Sequence, residues 1–151
     1  MTAYVRLTTF AAVDPRTAFR VFTQDTASWW RREARFGPTG RAAAVLRFAG
    51  AAGGPVTEEG IDGSASEIGR ILVWEPGARL VFEWHSRHVG APELTKVDVR
   101  FVAKTGGTEL TLEHRRSTEG FGSDAFRDSV ALWWGDLLTA YRRHAAHTPG
   151  V

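Results

Sequence analysis

Along residues 4–11 the side chains alternate, with Tyr4, Arg6 and Thr8 on one side and Val5, Leu7 and Thr9 on the other, the two-residue repeat of a strand. Asp14-Pro15 then supplies a helix start: the carboxylate can accept from unpaired backbone N–H groups, and proline presets the first helical residue. Phe19 and Phe22, three apart, share the inner face of that helix. A second short helix is read over 26–31, with Thr26 as its cap and Gly37-Pro38 as the stop beyond it. Strands follow over 43–48, 56–61, 65–74, 78–85, 95–103 and 107–115. Between them Gly53-Gly54-Pro55, Asp62-Gly63, Glu75-Pro76-Gly77, Gly90-Ala91-Pro92 and Gly106-Gly107 carry turn chemistry. The gaps are too short for crossover helices, so the pattern predicts an antiparallel meander.

Alternation also assigns the faces of that sheet. Leu80, Phe82, Trp84, Val97, Val99, Phe101, Leu110, Leu112 and His114 point to a covered side, whereas Arg79, Glu83, His85, Lys96, Asp98, Arg100, Glu109, Thr111 and Glu113 point to a wet one. The cover is a helix over 123–144, in which Phe126, Val130, Trp133 or Trp134, Leu137, Leu138 and Tyr141 recur at helical spacing. Ser123 can cap it, and Arg142, Arg143 and His144 suit the negative end of its dipole. At 1.5 Å per residue it spans roughly 30 Å, enough to cross the sheet. The fold class is therefore α+β, in one domain over 1–151: a strand, two short helices, six strands and a long C-terminal helix.

With 151 residues, the chain is long enough for one substantial core, and its complete lack of cysteine excludes thiol catalysis, thiolate-bound zinc, iron–sulfur clusters and a disulfide framework. Residues 1–10 lack the basic start and apolar run of an export signal, and no stretch of 18 apolar residues occurs, so a cytoplasmic location with no membrane span is the expectation. The formal charge is only +2, and the basic clusters at Arg31, Arg32 and Arg35, at Arg115 and Arg116, and at Arg142 and Arg143 are interspersed with acids. Without a helical basic stripe or an aromatic RNA-binding motif, nucleic acid is not an expected partner.

Reactive constellations are few. A metal site from His85, His88 and His114 fails on parity, since His85 follows inward Trp84 and points away from His114. Gly120, Gly122 and Ala125 spell a dinucleotide-like fingerprint, but no parallel strand follows. Glu83 points outward, and Glu67 lies in a segment apolar on both sides, where period two cannot orient it. No metal and no cofactor are expected.

The stretch GRILVWEPGARLVFEW over 69–84, with Phe22-Thr23, Trp29-Trp30, GGTELTLEHR over 106–115, and Trp134 with Leu138, resembles the START-like or SRPBCC superfamily of helix-grip folds. Within it, the chain is similar to the group of the activator of the heat-shock protein 90 ATPase. That family often has Gly-Trp where this chain has Trp133-Trp134, so a bulky ring replaces the small residue and could partly fill the cavity. The resemblance implies a curved antiparallel sheet of about seven strands gripping the C-terminal helix, with an apolar pocket between them that holds small hydrophobic ligands in many relatives.

A curved sheet under a single helix leaves space that one helical stripe cannot fill, and six Trp and nine Phe supply rigid walls. Trp29, Trp30, Phe48, Trp84, Phe101, His114, Phe126 and Trp133 are the residues expected to line that space. Adjacent residues on a short helix cannot both face the core at 100° per residue, so one of Trp29 and Trp30 is expected either at the mouth or packed on the neighbouring loop over 33–39. His114 either orients a ligand's polar group, acts as an acid or base, or is satisfied by a neighbouring carbonyl. Three functions follow: binding of a small hydrophobic, aromatic or lipid-like molecule; a chaperone-ATPase-activating module using exposed Glu58, Glu59 and Arg87; or a cyclase- or hydrolase-type cavity enzyme using His114 and perhaps Glu67. Edge strands such as 4–11 leave a homodimer open.

Overall fold

The computed structural model describes residues 3–30, 43–86, 93–116 and 124–148. In chain order its elements are β1 (Ala3–Ala11), α1 (Pro15–Gln24), α2 (Thr26–Trp29), β2 (Ala43–Phe48), β3 (Pro55–Gly60), β4 (Ala65–Glu75), β5 (Arg79–Ser86), β6 (Glu93–Lys104), β7 (Gly107–Arg116) and α3 (Asp124–Ala146). The strands form one antiparallel sheet in the order β1-β7-β6-β5-β4-β3-β2. Every neighbour from β2 to β7 is a hairpin partner, as the short glycine-rich gaps dictate. Because β1 closes against β7, the segment carrying α1 and α2 runs from one rim of the sheet to the other.

Asp14 caps α1 as its sequence implies, its carboxylate accepting from the Thr17 backbone N–H at 3.1 Å and from the Thr17 hydroxyl. The Thr17 hydroxyl bond, with the backbone bonds, holds the Asp14 carboxyl below its usual range. Thr26 takes a different role from the cap expected of it. The cap position of α2 falls on Asp25, while the Thr26 hydroxyl donates to the Leu46 carbonyl and accepts from the Leu46 N–H at 3.1 Å. A single side chain thereby occupies both outward-facing backbone groups of Leu46 on rim strand β2.

The sheet curls because β4 carries two irregularities. Val56 pairs with Gly69 but Thr57 with Glu67, and Ile71 pairs with Phe82 but Val73 with Val81, leaving Ile68 and Leu72 as extra residues. Bulges of this kind bend a strand and strengthen its twist. On the concave side Leu80, Phe82, Val97, Val99, Phe101, Leu110, Leu112 and His114 are buried against Trp134, Leu137, Leu138, Tyr141 and Ala145 of α3. Tyr141 locks the helix to α1 by donating to the Ala18 carbonyl at 2.8 Å. The expectation of a uniformly wet convex face needs one correction: Asp98 is only 5% exposed and Val81 7%. Arg79 binds Asp98 through two nitrogens at 3.2 and 2.9 Å, and Arg100 reaches it at 3.7 Å, so guanidinium stems roof over this patch.

Two glycines are required by geometry. Gly77, at φ +81°, follows Pro76 in the turn closed by the Ala78 N–H to Glu75 carbonyl bond. Gly107 starts β7 so close to β1 that a Cβ would overlap the Ala11 carbonyl and lie 2.7 Å from the Phe10 ring. Gly107→Ala is therefore expected to lose about 1–3 kcal/mol of stability in urea titrations. Wild-type stability in that variant would show that the rim pair relaxes freely.

Candidate functional site

The inner face of the sheet and the facing sides of α1, α2 and α3 build a continuous set of aromatic contacts. Phe22 lies 4.9 Å from Trp29, Trp29 lies 5.5 Å from Tyr141 and 5.7 Å from Trp30, and Trp30 lies 5.6 Å from Trp134, all between ring centroids. A second branch runs from Phe22 through Phe101 to Phe19 and Trp74, and through Phe48 to Phe82. Most of these pairs are edge-on or tilted, the arrangement favoured by ring quadrupoles.

Both Trp29 and Trp30 are buried, which corrects the expectation that one would stand at the mouth. The helical spacing of 100° does not relate the two rings, because α2 ends at Trp29. Trp30 has φ −86° and ψ 87°, outside the helix, and its N–H makes the closing bond to the Thr26 carbonyl. The Trp29 indole donates to the Val21 carbonyl at 3.1 Å, while the Trp30 indole turns the other way and donates to the Glu58 carboxylate at 3.2 Å.

Glu58 is the second correction. Expected on an exposed interaction surface, it is 2% exposed. It lies on the same side of β3 as buried Val56 and opposite Leu46 of β2, so its parity is inward. Glu59, the next residue, is outward and pairs with Arg47 at 2.6 Å.

His114, inward on β7 as its alternation requires, is 3% exposed. Its Nδ1 accepts from the Trp134 indole at 3.1 Å, and its Nε2 lies 2.6 Å from the Thr95 hydroxyl on β6. Burial pushes its pKa down from 6.5 to about 3, so the ring is neutral. Trp30 and Trp134 thus form an indole bridge over the concave face: one donates to Glu58 on β3, the other to His114 on β7, with three strands between them in the sheet order.

The remaining expected residues divide into three groups. Phe101 is buried and Phe48 half-buried, both in the second aromatic branch. Trp84 on β5, and Phe126 and Trp133 on α3, have side chains outside the described residues, as do His88, Arg87 and the loop holding Gly120 and Gly122. Glu67 is exposed opposite Thr57, on the convex side, which removes it as an interior acid or base. Thr95 and Glu58 are site residues that the sequence pattern does not single out. Of the two alternatives for the inward ring of α3, Trp134 is buried, in series with Leu138, Tyr141 and Ala145 at helical spacing.

Among the described residues no cluster of His, Asp and Glu could hold a metal ion, and no helix is long and apolar enough to cross a membrane. A separate open cleft of about 230 Å³ lies between the α1–α2 corner and β2, lined by Thr23, Gln24, Thr26, Ala27 and residues 45–48. It shares only Phe48 with the aromatic site.

A curled antiparallel sheet closed around a C-terminal helix, with two short helices after the first strand, is the START-like helix-grip architecture, a ligand-binding type of domain. The chain belongs to the activator of Hsp90 ATPase homolog 1-like family, whose sequence profile matches residues 12–141. No curated protein is a significant match to the chain. Among solved structures it is similar to a Mesorhizobium loti protein at TM-score 0.74 and 15% identity, covering 96% of this chain and 98% of that one. The Aha1 dimer from Colwellia psychrerythraea is similar at TM-score 0.69 and 13% identity, covering 97% and 98%. CalU16 from Micromonospora echinospora follows at TM-score 0.63 and 19% identity, covering 94% and 75%. At these identities the likeness establishes the fold.

The neutral His114 gives stability a pH dependence. An unfolded histidine takes up a proton near pH 6.5 and the folded one near 3, so the unfolded state binds more protons between these values. Stability is expected to fall as pH drops through that window, by up to about 1.4 kcal/mol per pH unit. In denaturant titrations His114→Gln should flatten this slope, and an unchanged slope would assign it to other groups.

Proposed function

We propose that this domain binds a small apolar molecule bearing an aromatic or lipid-like skeleton between the curled sheet and α3. The observation that carries this reading is the indole bridge: two buried polar groups, Glu58 and His114, held by Trp30 and Trp134, with the Thr95 hydroxyl beside His114, within an interior made mostly of rings and aliphatic chains. Ligand sites have this composition, apolar walls with a few fixed polar groups that orient the occupant. In this reading Trp29, Trp30, Phe48, Phe101 and His114 form the wall, and residues 1–151 act as one cytoplasmic unit. Fold and family membership support the general class of activity.

The described chemistry favours binding over turnover. A base must offer a lone pair, yet both ring nitrogens of His114 are engaged and its pKa lies far below neutrality. Glu67, the other candidate, faces solvent on the convex side.

The family description supports a second reading, a chaperone-ATPase-activating interaction module. It would use outward residues such as Glu59 rather than Glu58, and co-purification of a chaperone with altered ATP turnover would support it. A homodimer through a sheet rim is compatible with either reading.

For the ligand-binding reading, native mass spectrometry of the purified protein is expected to retain a small molecule. An apolar compound at a hundred times its Kd should raise stability by about 2.7 kcal/mol, read as a higher Tm. A broad panel of aromatic and acyl compounds that leaves Tm unchanged, together with a bare protein mass, would overturn the proposal.

A further inference from the structure

We propose, building on the ligand-binding reading, that Trp134 is a positioning residue: it holds His114 as the Nε2–H tautomer, so the imidazole meets a bound molecule as a donor and selects one carrying an acceptor oxygen. The chemical class is an apolar skeleton with a ketone, ester or ether oxygen.

Proton counting fixes the tautomer. An indole nitrogen carries a hydrogen and has no lone pair to offer in its plane, so the Trp134 Nε1 can only donate. It lies 3.1 Å from His114 Nδ1, which must therefore be the bare nitrogen. A neutral imidazole has one N–H, and it falls on Nε2, which faces the Thr95 hydroxyl oxygen at 2.6 Å. Protonating Nδ1 would set N–H against N–H, the same direction in which burial acts.

Trp134 cannot readily turn away to release that constraint. Its neighbours on α3, Leu137, Leu138, Tyr141 and Ala145, are all buried, and the Tyr141 hydroxyl is tied to the Ala18 carbonyl. Trp30 packs on the indole at an interplanar angle of 66°, itself fixed by Glu58. The proton on Nε2 is thus imposed from the helix side, and the sheet side receives it.

Thr95 marks the place and chemistry of the recognised group. Its hydroxyl oxygen accepts from Nε2–H, and an incoming carbonyl or ether oxygen can take that proton in its stead. An ammonium group would bring a proton to a proton, and a pure hydrocarbon would leave Nε2–H on Thr95 and form no hydrogen bond of its own. The polarity set by Trp134 therefore discriminates among molecules of the same shape.

The experiment has two arms. In 15N-labelled protein, long-range 1H–15N correlations of His114 read the tautomer directly: Nε2–H is expected in the wild type, with Nδ1–H appearing in Trp134→Phe. A wild-type Nδ1–H form overturns the proposal even if the variant does not fold, and a folded variant that keeps only Nε2–H removes Trp134 as the cause. In the second arm, calorimetry compares naphthalene, 2-acetylnaphthalene and 1-naphthylmethylamine. The ketone is expected to bind about fivefold tighter than the hydrocarbon, with the amine weakest, and this preference should shrink in Trp134→Phe. Equal binding of all three overturns the selectivity while leaving the ligand-binding reading intact. Binding of none overturns that reading and the selectivity with it, and the tautomer spectra then judge Trp134 alone.

Discussion

The constraint on which the molecule depends is that a sheet bent around a single helix has to hold its two flanks together without a second layer. Here side chains reaching across the concave face join the flanks, beside the α1–α2 segment that runs from rim to rim. Glu58 on one flank and His114 on the other each accept a hydrogen bond from an indole, and the two indoles rest edge-to-face on each other. One indole belongs to the turn after α2 and the other to α3, so the contact also couples the early helices to the last one. Burying a carboxylate and an imidazole is unfavourable unless each is satisfied, which makes these four residues mutually dependent rather than additive.

This arrangement explains why the interior mixes so much aromatic surface with so little reactive chemistry. Rings supply area and rigidity at low conformational cost, and the indole nitrogens supply donors where the sheet presents acceptors. The neutral imidazole then serves as an oriented hydrogen-bonding group. A helix-grip domain organised in this way is suited to orienting an occupant, and family membership sets it among proteins that share the frame.

Much of this frame was legible in the sequence, because period-two alternation and glycine punctuation are local signals. The inward parity of Leu80, Val97, Leu112 and His114 could be read from their neighbours alone. What escaped has identifiable causes. Glu67 could not be oriented because β4 gains an extra residue at Ile68, and a bulge resets alternation without any compositional mark. Glu58 was assigned outward because a glutamate is seldom buried, although its spacing from Val56 pointed inward. The expectation that one of Trp29 and Trp30 stands at the mouth fails because the helix read over 26–31 ends at Trp29, two positions earlier than its pattern suggests. The partners of His114, Thr95 and Trp134, lie 19 and 20 residues away, a relation only the folded topology creates.

The Thr26 hydroxyl on Leu46 has a bearing on self-association. A sheet with two bare rims can add copies at both and grow without end, but here one rim has its exposed amide and carbonyl already engaged by the chain's own side chain. That obstructs strand addition at Leu46 on β2, whereas the opposite rim is β1. Joining through a single rim stops at a pair, and a threonine on a four-residue helix thereby bears on how far such an assembly can grow.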